Sequence, residues 1–214
     1  GMLSAPMADL FPGQSSFEGA IFHTSRWPRE PVALAGKRVG VVGIGATGIQ
    51  VIQTIASQVG ELKVFVRTPQ YVLPMGNPKY GPDDVAAYKA RFDEFKATLP
   101  NTFTGFEYDF KYVWADMTPA ERLAVLEDIH ANGSLKLWLA SFVEMFFDEK
   151  VSEEISAFVR GKMRERLKDP RLCELLIPTD YGFGTHRVPL EVNYLEAYLQ
   201  PNVQMASLDH AIWF

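Results

Sequence analysis

Cysteine is almost absent from this chain of 214 residues. The single Cys173 leaves no intramolecular disulfide and no cysteine-based metal site, and it suits a reducing cytoplasm. It is expected as a buried apolar residue. Basic charge is short too: 21 Lys and Arg against 26 Asp and Glu give a net charge of −5. No run of five basic residues occurs, which argues against nucleic acid as a partner. Long apolar runs are missing as well. The stretch 135–147 is interrupted by Lys136, Ser141 and Glu144 and falls short of the ~20 residues that span a bilayer, so no membrane helix is expected. The start lacks a charged segment followed by an apolar one, so no signal peptide is read there. His23, His130, His186 and His210 lack the i, i+4 pairing of a helical zinc site, and no metal is expected. His130, within a helix, reads as structural. Signatures of nucleophilic hydrolases are not found either.

What is present is an ordinary globular composition, 47% apolar and 22% charged, in a chain long enough to bury roughly 70% of its unfolded surface. Residues 1–36, punctuated by Pro6, Pro12-Gly13, Pro28 and Pro31, read as a surface arm. From 37 to 80 a β–α–β unit is expected: a β-branched strand at 38–43, a glycine turn, a helix with apolar spacing over 49–55 closed by Gly60, and a strand at 62–67. Residues 81–178 read as a helical insertion. Asp83 and Asp84 start a helix whose Val85, Tyr88, Phe92, Phe95 and Leu99 predict one buried stripe. Thr118-Pro119 with Glu121 is a specific start signal for a helix that Asn132-Gly133 ends. Further helices are expected over 135–147 and, capped by Ser152, over 155–167, stopped by Asp169-Pro170. From 179 to 214 the first unit resumes, with a loop at 181–185, a helix over 192–199 and a third strand over 203–208.

Gly43-Ile44-Gly45-Ala46-Thr47-Gly48 spells G-x-G-x-x-G between strand and helix, where glycines permit a tight turn and close backbone approach to a pyrophosphate. Free N–H groups at the helix start would bind that anion. The rival reading is a glycine turn with no ligand. At the end of the second strand, where an NAD site places a carboxylate, stand Arg67 and Thr68, and no carboxylate occurs from Lys63 through Met75. A guanidinium and a hydroxyl suit a ribose 2′-phosphate, favouring NADPH over NADH. A solvated arginine at a strand end is the bland alternative. In the arm, Phe17, Phe22 and Trp27 read as aromatics packing on the sheet, with His23 a hydrogen-bond strut or a hinge.

Phe17, Gly19, His23, Trp27 and Pro28 together resemble the F-x-G-x-x-x-H-x-x-x-W-P fingerprint of the Baeyer–Villiger monooxygenases, class B flavoprotein monooxygenases. The resemblance continues through 43–50 and 64–71, reappears at 181–187, and covers nearly the whole chain. It implies an α/β fold, a Rossmann-like parallel sheet with an inserted helical subdomain. It implies NADPH held by Gly43, Gly45, Ala46, Thr47, Gly48 and Gln50, with Arg67 and Thr68 on the 2′-phosphate. It also implies an FAD that, once reduced by NADPH, supplies the oxygen chemistry turning a ketone into an ester or lactone. Arg187 matches the family's active-site arginine, a fixed cation for developing negative charge. Lysine usually precedes that arginine as another 2′-phosphate contact; His186 stands there, and imidazole in place of ammonium weakens the contact. By the same resemblance His23 is a conformational linker between domains.

Family members carry an FAD domain with its own earlier glycine motif, and further chain after the third strand. Neither is read in these 214 residues, so the chain is expected to be a middle portion, truncated relative to the full enzyme. It would be inactive alone unless a flavin-binding domain or chain is supplied in trans. A sheet cut short near Phe214 would favour dimerisation or strand exchange. Two alternatives stay open: a relative that oxygenates nitrogen or sulfur, against which Trp27-Pro28 leans, and a non-catalytic NADP-binding or interaction module.

Overall fold

The computed structural model describes residues 11–207; Leu208, at the end of the expected third strand, His210 and Phe214 lie outside the described residues. In chain order the elements begin with β1 (Arg38–Val42), α1 (Ala46–Ile55), β2 (Glu61–Val66) and β3 (Leu73–Pro74). Then come α2 (Pro82–Ala90), α3 (Phe92–Thr98), α4 (Pro119–Asn132), α5 (Lys136–Leu139), α6 (Glu149–Leu167) and α7 (Pro170–Leu176). β4 (Leu190–Glu191), α8 (Tyr194–Ala197) and β5 (Val203–Ser207) close the series. The chain divides into two units, one of residues up to Thr68 and from Glu196 onward, the other Pro69–Leu195.

The first unit is a parallel sheet in the order β1-β2-β5. β2 lies in the middle, and its alternate residues Leu62, Val64 and Val66 are buried as period-2 geometry requires. α1 buries Ile49, Ile52 and Ile55, one face of a 3.6-residue repeat. It stops at Ile55 rather than at Gly60, which instead lies so close to the Gly36 carbonyl that a Cβ would come within 2.6 Å of its oxygen. The orphaned carbonyls past the helix end are satisfied by Asn202, whose side-chain amide donates to the Ala56 and Val59 oxygens at 2.9 and 3.0 Å. The α/β class with a Rossmann-like parallel arrangement is therefore borne out.

The second unit is mainly helical, with a small parallel ladder pairing Leu73 with Leu190. The helix expected from Asp83 is two helices, α2 and α3, broken at Arg91 (φ −99°, ψ 8°). Of the predicted stripe only Phe95 is buried; Val85, Tyr88 and Phe92 are exposed. The break turns Phe92 aside, and Phe95 is covered locally by the Tyr88 ring at 4.9 Å and the Arg91 guanidinium at 4.6 Å. Thr118 caps α4 as expected: its hydroxyl accepts from Glu121 N–H at 3.4 Å, and Glu121 Oε2 accepts from Thr118 N–H at 2.8 Å. Gly133 ends that helix at φ 68°.

The expected helix over 135–147 survives only as α5 and a 3₁₀ turn at Val143–Phe146, because the chain becomes extended at Phe142, which bridges to Tyr112. α6 starts one turn earlier than Ser152 would place it. Asp148 caps it, accepting from Lys150 and Val151 N–H, and so admits Val151 to the buried series Val151, Ile155, Val159, Met163 and Leu167. Asp169-Pro170, read as a stop, also opens a further helix: Asp169 caps α7 through Arg171 and Leu172 N–H. The helix expected over 192–199 shortens to α8, and Cys173 is half-buried rather than buried.

Candidate functional site

Within the first unit the dinucleotide-type turn sits at the carboxyl edge of the sheet. Val42 pairs with Phe65, and Gly43 N–H donates to the Phe65 oxygen at 2.9 Å, so the turn after β1 and Arg67-Thr68 after β2 leave the sheet side by side. The three glycines answer three different demands. Gly43 has φ +90°, open to few other residues. At Gly48 a Cβ would fall 2.2 Å from the Gly43 oxygen, so only glycine lets the helix start against the strand end. Gly45 has φ −68°, and nothing lies within 4 Å of where its Cβ would be. The protein's own atoms do not require glycine there; a group approaching the backbone from outside would. The donor set agrees, because the first intrahelical bond is Ile49 N–H to the Gly45 oxygen, leaving Ala46, Thr47 and Gly48 N–H before it, and no acidic residue stands in that first turn.

Arg67 is exposed and Thr68 half-buried, with no carboxylate paired to Arg67 among the described residues. Gln50 is exposed on α1, facing away from the buried Ile49 and Ile52. These residues fit an anionic nucleotide with a free 2′-phosphate.

The arm departs from expectation. Phe17, Phe22 and Trp27 are 45%, 40% and 44% exposed, so they do not pack into the sheet core. Phe22 and Trp27 cover one another at 5.4 Å between rings, and Phe17 folds over Gly19, where a Cβ would meet its ring at 2.5 Å. His23 is a strut: its Nδ1 accepts from Ser25 N–H at 3.2 Å and lies 2.8 Å from Ser25 Oγ, capping a 3₁₀ turn over Thr24–Arg26. Half-buried Pro28 follows that turn.

His186 and Arg187 belong to the second unit, on an exposed loop whose backbone is fixed from below. The Trp138 indole N–H donates to the Gly184 oxygen at 3.1 Å. The Tyr181 hydroxyl donates to the Pro69 oxygen at 2.6 Å, Tyr71 donates to the Tyr181 oxygen at 3.1 Å, and Arg160 donates to the Tyr71 hydroxyl at 2.9 Å. Burial pushes the Tyr181 phenol up to about 12, so it remains a donor through neutral pH. Its ring lies 4.2 Å from that of His186, which fixes the imidazole plane. The sequence reading found His186 and Arg187 but none of Tyr71, Trp138 or Arg160, which hold the loop from distant segments. His130 is half-buried beside the Phe158 ring at 5.8 Å, and burial, then Lys162, lowers its pKa; both suit a neutral structural histidine. No helix among the described residues is long and apolar enough to cross a membrane.

A glycine-rich strand-turn-helix unit with an arginine just past the end of the neighbouring parallel strand is the arrangement found in Rossmann-type dinucleotide-binding folds. The flavin-binding monooxygenase-like family model matches residues 3–112, and the chain belongs to that family. The chain is 71% identical over 203 residues to the acetone monooxygenase (methyl acetate-forming) of Gordonia sp. (strain TY-5), which covers 95% of this chain and 38% of the relative. It is 33% identical over 210 residues to a Baeyer–Villiger monooxygenase of Pseudooceanicola batsensis, 97% of this chain and 38% of that one. The crystal structure of OTEMO in complex with FAD and NADP superposes with a TM-score of 0.93 at 35% identity, covering 97% of this chain and 40% of OTEMO. The likeness to Baeyer–Villiger monooxygenases is thus borne out. The chain spans about 40% of the length of the relatives it matches.

Proposed function

We propose that this chain binds NADPH as the dinucleotide-binding part of a flavin-dependent Baeyer–Villiger monooxygenase that oxidises a small ketone to an ester. The observation that carries the reading is Gly45, a glycine demanded neither by φ nor by crowding from the protein itself, at the mouth of a helix start with unused N–H donors. The 71% identity to an acetone monooxygenase supports the small ketone. In this reading the backbone of 45–48 takes the pyrophosphate, and Arg67 and Thr68 take the 2′-phosphate. Arg187 presents a permanent cation to charge developing on the substrate oxygen. FAD, bound by the remainder of the protein or by a chain in trans, supplies the oxygen-activating chemistry. Without it the chain alone turns over no ketone.

The test is calorimetric titration of the purified chain with NADP⁺ and with NAD⁺. Binding of NADP⁺ tighter by tenfold or more, ~1.4 kcal/mol, is expected. Arg67→Ala should weaken NADP⁺ by about 1.5–3 kcal/mol through loss of a charge-assisted contact and leave NAD⁺ nearly unchanged. Equal binding of the two dinucleotides, or none of either, overturns the reading.

A further inference from the structure

The loop that carries Arg187 is pinned on both sides by one helix. Before it, the buried Ser156 hydroxyl of α6 accepts from Phe183 N–H at 2.8 Å. After it, Arg166 of the same helix forks onto Glu191, with one nitrogen 2.5 Å from Oε1 and the other 3.1 Å from Oε2. Glu191 is 0% exposed and is the one charged residue fully withdrawn from solvent among the described residues. Its Oε2 also accepts from Tyr194 N–H at 2.9 Å, and its backbone oxygen accepts from Met75 N–H at 2.7 Å, which ends the β3–β4 ladder. Ser156 and Arg166 are ten residues apart on α6, so the two anchors stand about 15 Å apart along its axis. Arg187 lies midway in the chain between Phe183 and Glu191.

A buried ion pair is a poor way to gain stability, since well-packed apolar residues in its place are often neutral or better. What the fork adds is a two-point constraint on orientation, which a single contact or an apolar patch lacks. We propose that Arg166 and Glu191 are positioning residues for Arg187: with Ser156 they make α6 a ruler that sets the span of loop 183–191 and hence the place of the Arg187 guanidinium. The task of Arg187 rests on the function proposed above; the positioning does not.

The first test needs no cofactor. Limited trypsin digestion of the chain reads cleavage of the Arg187–Val188 bond against cleavage after the exposed Arg26 in the other unit. In the double variant Arg166→Met, Glu191→Met, which removes the pair without leaving an unpaired charge, cleavage after Arg187 should rise tenfold or more while cleavage after Arg26 is unchanged. Hydrogen exchange should quicken over 183–191 and not over α4. If that double variant does not fold, Arg166→Met with Glu191→Gln, which keeps the volume and the acceptor for Tyr194 N–H and still leaves no unpaired charge, carries the same comparison. Unchanged cleavage and exchange overturn the positioning. In the full-length enzyme the folded variant should lose at least tenfold in kcat with KM for the ketone little changed, and Arg166→Lys, which restores the charge but not the fork, should recover only part of it. Normal kcat in a loosened variant, with Arg187→Ala inactive, also overturns the proposal. Turnover that survives Arg187→Ala overturns instead the functional reading, and with it the task assigned to the pair.

Discussion

Gly45 and Gly48 are the same residue type three positions apart, yet they answer to different causes. A methyl group at 45 enters open space at an ordinary φ, so Gly45→Ala should change stability by less than about 1 kcal/mol, the loss of a tolerable N-cap. It should still weaken NADP⁺ at least tenfold, because the methyl occupies the approach to the N–H groups. Gly48→Ala drives a Cβ into the Gly43 carbonyl and should destabilise by about 1–3 kcal/mol, as overpacking does. Thermal unfolding alongside calorimetry separates the two; equal affinity in wild type and Gly45→Ala would remove the ligand from that position. Tyr181 offers a second residue-level prediction. Its folded phenol titrates near 12 against about 10 unfolded, so the unfolded state releases its proton first. The stability this contributes is complete below pH ~10 and is lost as pH rises toward ~12. Tyr181→Phe should remove one late step from the ultraviolet titration of the eight tyrosines and flatten that alkaline loss. It should also cost about 1 kcal/mol at neutral pH for the bond to Pro69. At this scale the glycine turn was legible because its causes lie within six consecutive residues. The loop under Arg187 was not, since Tyr181 meets Pro69 across 112 positions and Arg160 meets Tyr71 across 89.

Among the elements, the same distinction separates α4 from α2, α3 and α6. The start of α4 is specified by four adjacent residues whose side chains and backbone bond one another, so it reads directly from the sequence. Thr118→Ala should destabilise the protein by about 1 kcal/mol and leave the position of α4 intact, checked by denaturant unfolding with an unchanged slope. A loss within experimental error would mean that tertiary packing, not the cap, sets that end. At α6 two good caps compete four residues apart, and the choice falls to Asp148 because it lets Val151 join the buried face. That criterion depends on what the helix packs against, which no local pattern contains. At α2 and α3 the 3-4 spacing marked a face without revealing whether anything covers it, and the face proved largely exposed. The β3–β4 ladder, with two residues per strand separated by more than a hundred positions, carries no local signal at all.

For the whole molecule the question becomes where apolar surface is left uncovered. Among the described residues it concentrates in the helical unit, where Phe103 is 66% and Phe147 84% exposed, and Phe103 and Phe110 both lie against the Phe146 ring, at 6.3 and 6.0 Å. Each of the two outer rings, if covered, contributes about 3 kcal/mol at ~25 cal/mol per Å². A symmetric pair of chains would cover four such rings, about 12 kcal/mol, against an association cost of roughly 4 kcal/mol or more. The balance permits dissociation constants of about micromolar at the tightest. The isolated chain should therefore be a monomer when dilute and gain mass reversibly in sedimentation velocity as its concentration rises through the micromolar range and above. Phe103→Ser with Phe147→Ser should hold it monomeric over the same range without altering its helical circular dichroism, since neither ring is buried. Constant monomer mass in the parent chain, or association undiminished in the double variant, would show that these rings do not drive contact between copies.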